Sequence, residues 1–135
     1  GEAFATSPKG IMSLIRRLKL GGVMMILTDQ APRIGSGTYT PFYGHPAYTM
    51  TLLHKLLHKA DAELVFACCL RNADNKNFDI NLFKPEFNTK VDTPEEFNVG
   101  MNKQIESIIA LAPDQYQWSY KRFKRQADGI SLYKK

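Results

Sequence analysis

The sequence predicts a mixed α/β domain, a mixed sheet with helices packed on it, spanning residues 1–135 as one unit. Three observations carry this reading. Three segments repeat apolar residues at helical spacing, two short apolar runs have strand length, and a third run alternates with period two. With 44% hydrophobic and 11% aromatic residues, the chain is too apolar to be disordered.

Ser7-Pro8 marks the first helix start, with serine as cap and proline at the first helical position. Ile11, Leu14, Ile15 and Leu18 follow at i, i+3, i+4 and i+7, and Gly21-Gly22 supplies the exit. Val23–Thr28 is apolar without alternation, which predicts a strand buried on both faces. Asp29-Gln30 sit at its carboxyl end, before a loop over Ala31–Tyr39. A short extended piece at Thr40–Tyr43 leads to Gly44-His45-Pro46. From there to Ala60 a second helix is expected, with Thr49, Leu52, Leu53, Leu56 and Ala60 inward.

Glu63–Cys69 is expected as a second buried strand. Phe78–Phe83 alternates Phe78, Ile80 and Leu82 with Asp79 and Asn81, and the turn residues Asn72–Asn77 join the two in a hairpin. After a loop over Lys84–Asp92, Thr93-Pro94-Glu95-Glu96 reads as a capping box. Phe97, Met101, Ile105, Ile108, Ile109 and Ala112 form the buried stripe of the third helix, which Pro113 stops.

No run reaches the ~20 apolar residues of a membrane-spanning helix. The start, Gly1-Glu2-Ala3-Phe4, lacks the basic and apolar regions of a signal peptide. Cys68 and Cys69 are adjacent, a geometry unsuited to pairing with each other, and are expected as small buried hydrophobes in a reducing compartment.

The charge is localised. Eighteen Lys and Arg against 13 acids give +5, and the last fifteen residues hold six cations (Lys121, Arg122, Lys124, Arg125, Lys134, Lys135) against Asp128 alone. That points to an anionic partner at one end. The segment Gln115–Arg125 interleaves four aromatics with four cations. It reads as a surface for anionic lipid or a phosphorylated sugar, with Arg122 and Lys124 as ligands. It also reads as a nonenzymatic nucleic-acid module whose rings stack bases, and, no less than these two together, as a terminus whose rings complete the core.

Asp29 leaving an apolar strand is placed as ligands are in open α/β sheets, or it caps the following turn. His54 and His58 share the i, i+4 spacing of a metal pair. Lys55 stands where a zinc protease carries Glu, and no third ligand is evident, so no metal is expected and both are read as surface residues. His58-x4-Glu63 spans a helix end and a strand start, and is set aside as a base with its carboxylate.

Taken together, several motifs are similar to the carboxyl-terminal half of the late acyltransferases of lipid A biosynthesis, the lauroyl/myristoyl transferases of Gram-negative bacteria. They are the basic helix Gly10–Gly21, the strand ending in Asp29-Gln30, the run Pro41-Phe42-Tyr43-Gly44-His45-Pro46-Ala47-Tyr48-Thr49, Asn102…Glu106…Ile109, and Pro113–Trp118 with Lys121–Lys124. The resemblance covers essentially the whole chain.

It implies part of a lysophospholipid-acyltransferase-like α/β domain. It also implies transfer of a fatty acyl chain from acyl carrier protein to a hydroxyacyl chain of an anionic lipid A precursor. That reaction runs without a cofactor at the cytoplasmic face of the inner membrane. The family's base, a His in His-x4-Asp/Glu, and its membrane anchor belong upstream of residue 1, so no catalytic residue is expected in this chain and no turnover from it alone. Asp29, Gln30, Arg122 and Lys124 are expected to bind substrate. Glu106, Tyr116 and Trp118 match family positions without an assigned role. On this reading nucleic acid is not an expected partner.

Overall fold

The computed structural model describes residues 7–130, 132 and 133. Lys134 and Lys135 of the basic terminus lie outside the described residues. The elements run α1 (Pro8–Lys19), β1 (Gly37–Phe42), β2 (His45–Met50), α2 (Leu52–Ala60), β3 (Phe66–Arg71), β4 (Phe78–Phe83), α3 (Pro94–Ile109) and a 3-10 turn, Pro113–Gln115.

The first helix forms as its sequence dictates. Ser7 caps it by accepting from the Gly10 N–H at 3.2 Å. Leu14 and Ile15 then pack on Leu56 and Ala60 of α2, with Ile11 and Leu18 at the margin. The helix exits through Gly21 at φ +78°, a conformation that favours glycine.

The chain then departs from expectation. Among the described residues, Val23–Thr28 pairs with no strand. Its side chains alternate, with Met24, Ile26 and Thr28 half-buried, while Val23, Met25 and Leu27 are 101%, 87% and 58% exposed. A strand buried on both faces needs neighbours on both edges and a layer on each side, and the described residues supply one layer. The predicted mixed sheet is therefore replaced by two separate antiparallel hairpins, β1–β2 and β3–β4.

The second helix begins at Leu52 rather than near His45. His45–Met50 is strand β2, in register with β1 from Phe42↔His45 to Gly37↔Met50. Tyr43 and Gly44 between them have φ +48° and +75°, a two-residue type I′ turn whose twist matches paired strands. Thr49 is inward as anticipated, but on a strand, together with Ala47 on β2 and Thr40 on β1.

The β3–β4 hairpin is present as predicted, with β3 shifted to Phe66–Arg71. It is half-exposed rather than buried: Phe66 is buried, Cys68 is intermediate and Cys69 is exposed, both thiols being free. In α3, Thr93 Oγ1 accepts from Glu96 N–H at 3.3 Å, and Phe97, Met101, Ile105 and Ile109 form the main core with Phe42, Ala47, Leu53, Leu57, Phe66 and Val91. The same helix buries three amides, Asn98, Asn102 and Gln104.

Candidate functional site

Asp29 and Gln30 follow the extended segment in a turn, both half-buried. The Ala31 N–H donates to the Tyr120 hydroxyl at 2.8 Å, which ties this turn to the carboxyl-terminal segment. The Tyr116 hydroxyl donates to Asp29 Oδ2 at 3.3 Å. Burial and the Asp29 carboxylate push the Tyr116 phenol well above its ordinary pKa, so it acts as a donor across the neutral range.

Asp29 and Tyr116 stand at the polar end of a groove of about 310 Å³. One wall is Ile26–Asp29 and the other is β3. The floor is the last turns of α3, through Ile105, Ile108 and Ile109. A carboxylate with a bound phenol at the end of this trough can orient a hydroxyl.

Arg122 is not part of a solvent-facing cationic surface. It is 3% exposed, donating from Nη1 to Tyr48 O and from Nη2 to Thr49 Oγ1, each at 2.8 Å, with its guanidinium carbon 5.4 Å from the Phe42 ring centroid. The sequence pattern places Arg122 in a run of cations, and the planar fork that pairs with two acceptors draws it inward. Burial lowers its pKa, and Tyr116, Tyr120 and Asp29 are close enough to oppose that shift. Asp29 and Arg122 therefore share a neighbourhood through Tyr116, although Arg122 does not line the groove. Lys124 is exposed, its ammonium 4.8 Å from the Tyr120 ring centroid.

The family-matching residues are held by contacts within the chain. The Glu106 carboxylate accepts from the Tyr43 N–H and so closes the type I′ turn onto α3. Trp118 donates from Nε1 to Pro113 O and packs against Tyr116 and Tyr43. Phe123 packs against the main core. These contacts have the form of a terminus whose rings are folded onto the domain.

Among the amides of α3, the sequence reading names Asn102 only as a motif residue and leaves out Asn98 and Gln104, because apolar spacing does not register them. Asn102 Nδ2 donates to Pro41 O at 2.8 Å and reaches Thr40 and Thr49 Oγ1, so with Arg122 it joins α3, both strands of the first hairpin and the tail. Gln115 falls within the Pro113–Trp118 motif, but its contact is not foreseen there. Its side-chain amide bonds Arg71 N–H and C=O at 2.7 and 3.1 Å, as a neighbouring strand would. Asn102 recurs on the helix face of Asn98, a polar i, i+4 pair that could have signalled a buried network.

The histidine pair serves structure. Nε2 atoms of His54 and His58 lie 2.9 and 3.0 Å from the same Val91 carbonyl oxygen, so each can donate to it. His58 is exposed as expected, but His54 is buried, which corrects its reading as a surface residue. Among the described residues no cluster of three or more His, Cys, Asp or Glu is placed to hold a metal. No described helix is long and apolar enough to cross a membrane.

The comparison with known proteins agrees with these motifs. A family described as bacterial lipid A biosynthesis acyltransferase matches residues 2–125. The chain belongs to this family. A lipid A biosynthesis lauroyltransferase of Escherichia coli (strain K12) is 30% identical over 123 residues, covering 90% of this chain and 40% of the relative. A lipid A biosynthesis acyltransferase of Haemophilus influenzae (strain ATCC 51907 / DSM 11121 / KW20 / Rd) is 26% identical over 124 residues, covering 92% of this chain and 38% of the relative. The chain thus spans about two fifths of the length of these curated relatives.

Proposed function

We propose that this chain forms one side of a lipid A acyltransferase site. There, a fatty acyl group passes from acyl carrier protein to the hydroxyl of a hydroxyacyl chain on a phosphorylated disaccharide lipid. Family membership supports the reaction class. The observation that carries the site is the Asp29–Tyr116 pair at the polar end of the apolar groove.

In this reading the lipid hydroxyl attacks the thioester carbonyl, the C–S bond breaks and the carrier leaves as its thiol. The proton is taken by a His of a His-x4-Asp/Glu motif, which the resemblance places outside these residues. His58-x4-Glu63 does not serve, because His58 Nε2 is engaged with Val91 O. Asp29 and Gln30 orient the acceptor chain, and the exposed Lys124 meets a phosphate. Arg122 acts from beneath, fixing Tyr48 and Thr49 and adding positive charge below Asp29. The reaction runs at the cytoplasmic face of the inner membrane.

The test is an acyl-transfer assay on the 135-residue chain, with acyl carrier protein thioester as donor and a lipid A precursor as acceptor. No turnover is expected. Turnover by the chain alone refutes the assignment of the base to residues outside it.

A further inference from the structure

One wall of the groove, Ile26–Asp29, continues a segment with unpaired backbone, and the other is β3. Among the described residues, Val23–Thr28 makes no backbone hydrogen bond, although its side chains alternate in exposure as a strand's do. A segment with strand-like alternation and an unsatisfied row of N–H and C=O groups is a template for pairing. Across the groove, β3 pairs with β4 along one edge and, among the described residues, has no strand on its other edge. Arg71 directs both its N–H and C=O to that other edge, where Gln115 meets them. By the two-residue period of an antiparallel pair, Cys69 and Ala67 present their backbone groups to the same side.

The space between these edges has an apolar floor, the Ile105, Ile108 and Ile109 face of α3. The outer face is apolar as well: Val23 and Met25 are almost wholly exposed, and Leu27 is more than half exposed. A strand buried on both faces would have this composition.

We propose that this slot seats β-strand from the three fifths of a family-length acyltransferase that this chain does not span. The inserted strand pairs with Val23–Leu27 and with the free edge of β3, and it sets apolar residues onto α3. The same missing part covers Val23, Met25 and Leu27 from outside. The occupant is identified by the shortfall in length: the chain matches nine tenths of itself to relatives of which it spans 40% and 38%. A lipid surface could cover the apolar side chains but could not pair the backbone groups. The inference rests on family membership and on the open edges, and it stands whether or not Asp29 binds substrate.

Hydrogen–deuterium exchange tests it on two samples of the chain. One is the chain alone and then mixed with the remaining three fifths of the E. coli lauroyltransferase. The other is the chain fused in place of the matching segment of that relative. In the chain alone the amides of Val23–Leu27 exchange as open peptide. In the mixture or the fusion they slow by at least roughly tenfold, together with Ala67 and Cys69.

Met25→Pro removes an N–H that is unpaired in the chain as it stands. It therefore leaves exchange elsewhere in the isolated chain unchanged and weakens association with the complement by roughly tenfold or more. The proposal is overturned by protection of Val23–Leu27 in the isolated monomer. It is equally overturned by protection that follows self-association or phosphatidylglycerol vesicles alone, or by no protection in both mixture and fusion, including failure of both to fold.

Discussion

Replacing Arg122 by alanine separates a core role from a surface one. Arg122 is 3% exposed and gives two hydrogen bonds of 2.8 Å, to Tyr48 O and Thr49 Oγ1. Hydrogen bonds from a charged donor contribute roughly 1.5–3 kcal/mol each, so the gross loss is about 3–6 kcal/mol. Relief of the desolvated guanidinium offsets part of this, leaving a net destabilisation of about 2–4 kcal/mol. With a urea dependence of roughly 1–3 kcal/mol per molar, the unfolding midpoint falls by about 1–2 M. Arg122→Lys keeps the charge but not the two-pronged geometry, and lies between. Lys124→Ala, at an exposed neighbour, stays within about 0.5 kcal/mol of the parent. Urea titration followed by circular dichroism reads all three. An Arg122→Ala midpoint equal to that of Lys124→Ala refutes the core assignment.

Two further outcomes follow from the packing. Gly100→Ala, which in an exposed helix stabilises by about 0.5–1 kcal/mol, here destabilises by about 1–3 kcal/mol, because the added methyl would stand 2.5 Å from Phe87 ring carbons; thermal unfolding reads the sign. The raised phenol of Tyr116 favours its neutral form in the folded state, so its contribution is complete below the ordinary tyrosine pKa of about 10 and is lost as pH rises toward the folded value. Stability measured by urea between neutral and strongly alkaline pH therefore falls more steeply for the parent than for Tyr116→Phe; parallel curves contradict the pairing with Asp29.

Much of the fold is legible where local rules and tertiary packing agree. The caps at Ser7 and Thr93, the stripe Phe97–Met101–Ile105–Ile109 and the period-two run Phe78–Phe83 each encode one element, and the structure forms them. The stretch from Thr40 to Ala60 misleads because Thr49 and Leu52–Ala60 fit one helical stripe. The decisive signal is the Tyr43-Gly44 pair with β-branched and aromatic residues on either side, a hairpin turn. Val23–Thr28 differs in kind: its composition suits burial on both faces, a condition the described residues do not meet.

The site is legible to the same degree. Asp29, closing an apolar run, lines the groove, while Gln30 beside it does not. Arg122 is misplaced by a reading based on charge runs, because clustering of cations does not reveal which of them finds two buried acceptors. Asn102 and Gln115 are invisible to apolar periodicity, yet they satisfy backbone and hydroxyl groups that no apolar residue could.

The most direct measurement of the central claim is acyl transfer by the fusion in which this chain replaces the matching segment of the E. coli lauroyltransferase, with and without Asp29→Asn. The substitution retains an acceptor for Tyr116 and removes the charge. The account predicts transfer by the fusion and a loss of at least roughly tenfold in turnover on Asp29→Asn, with thermal unfolding unchanged. Equal turnover by the two proteins contradicts it.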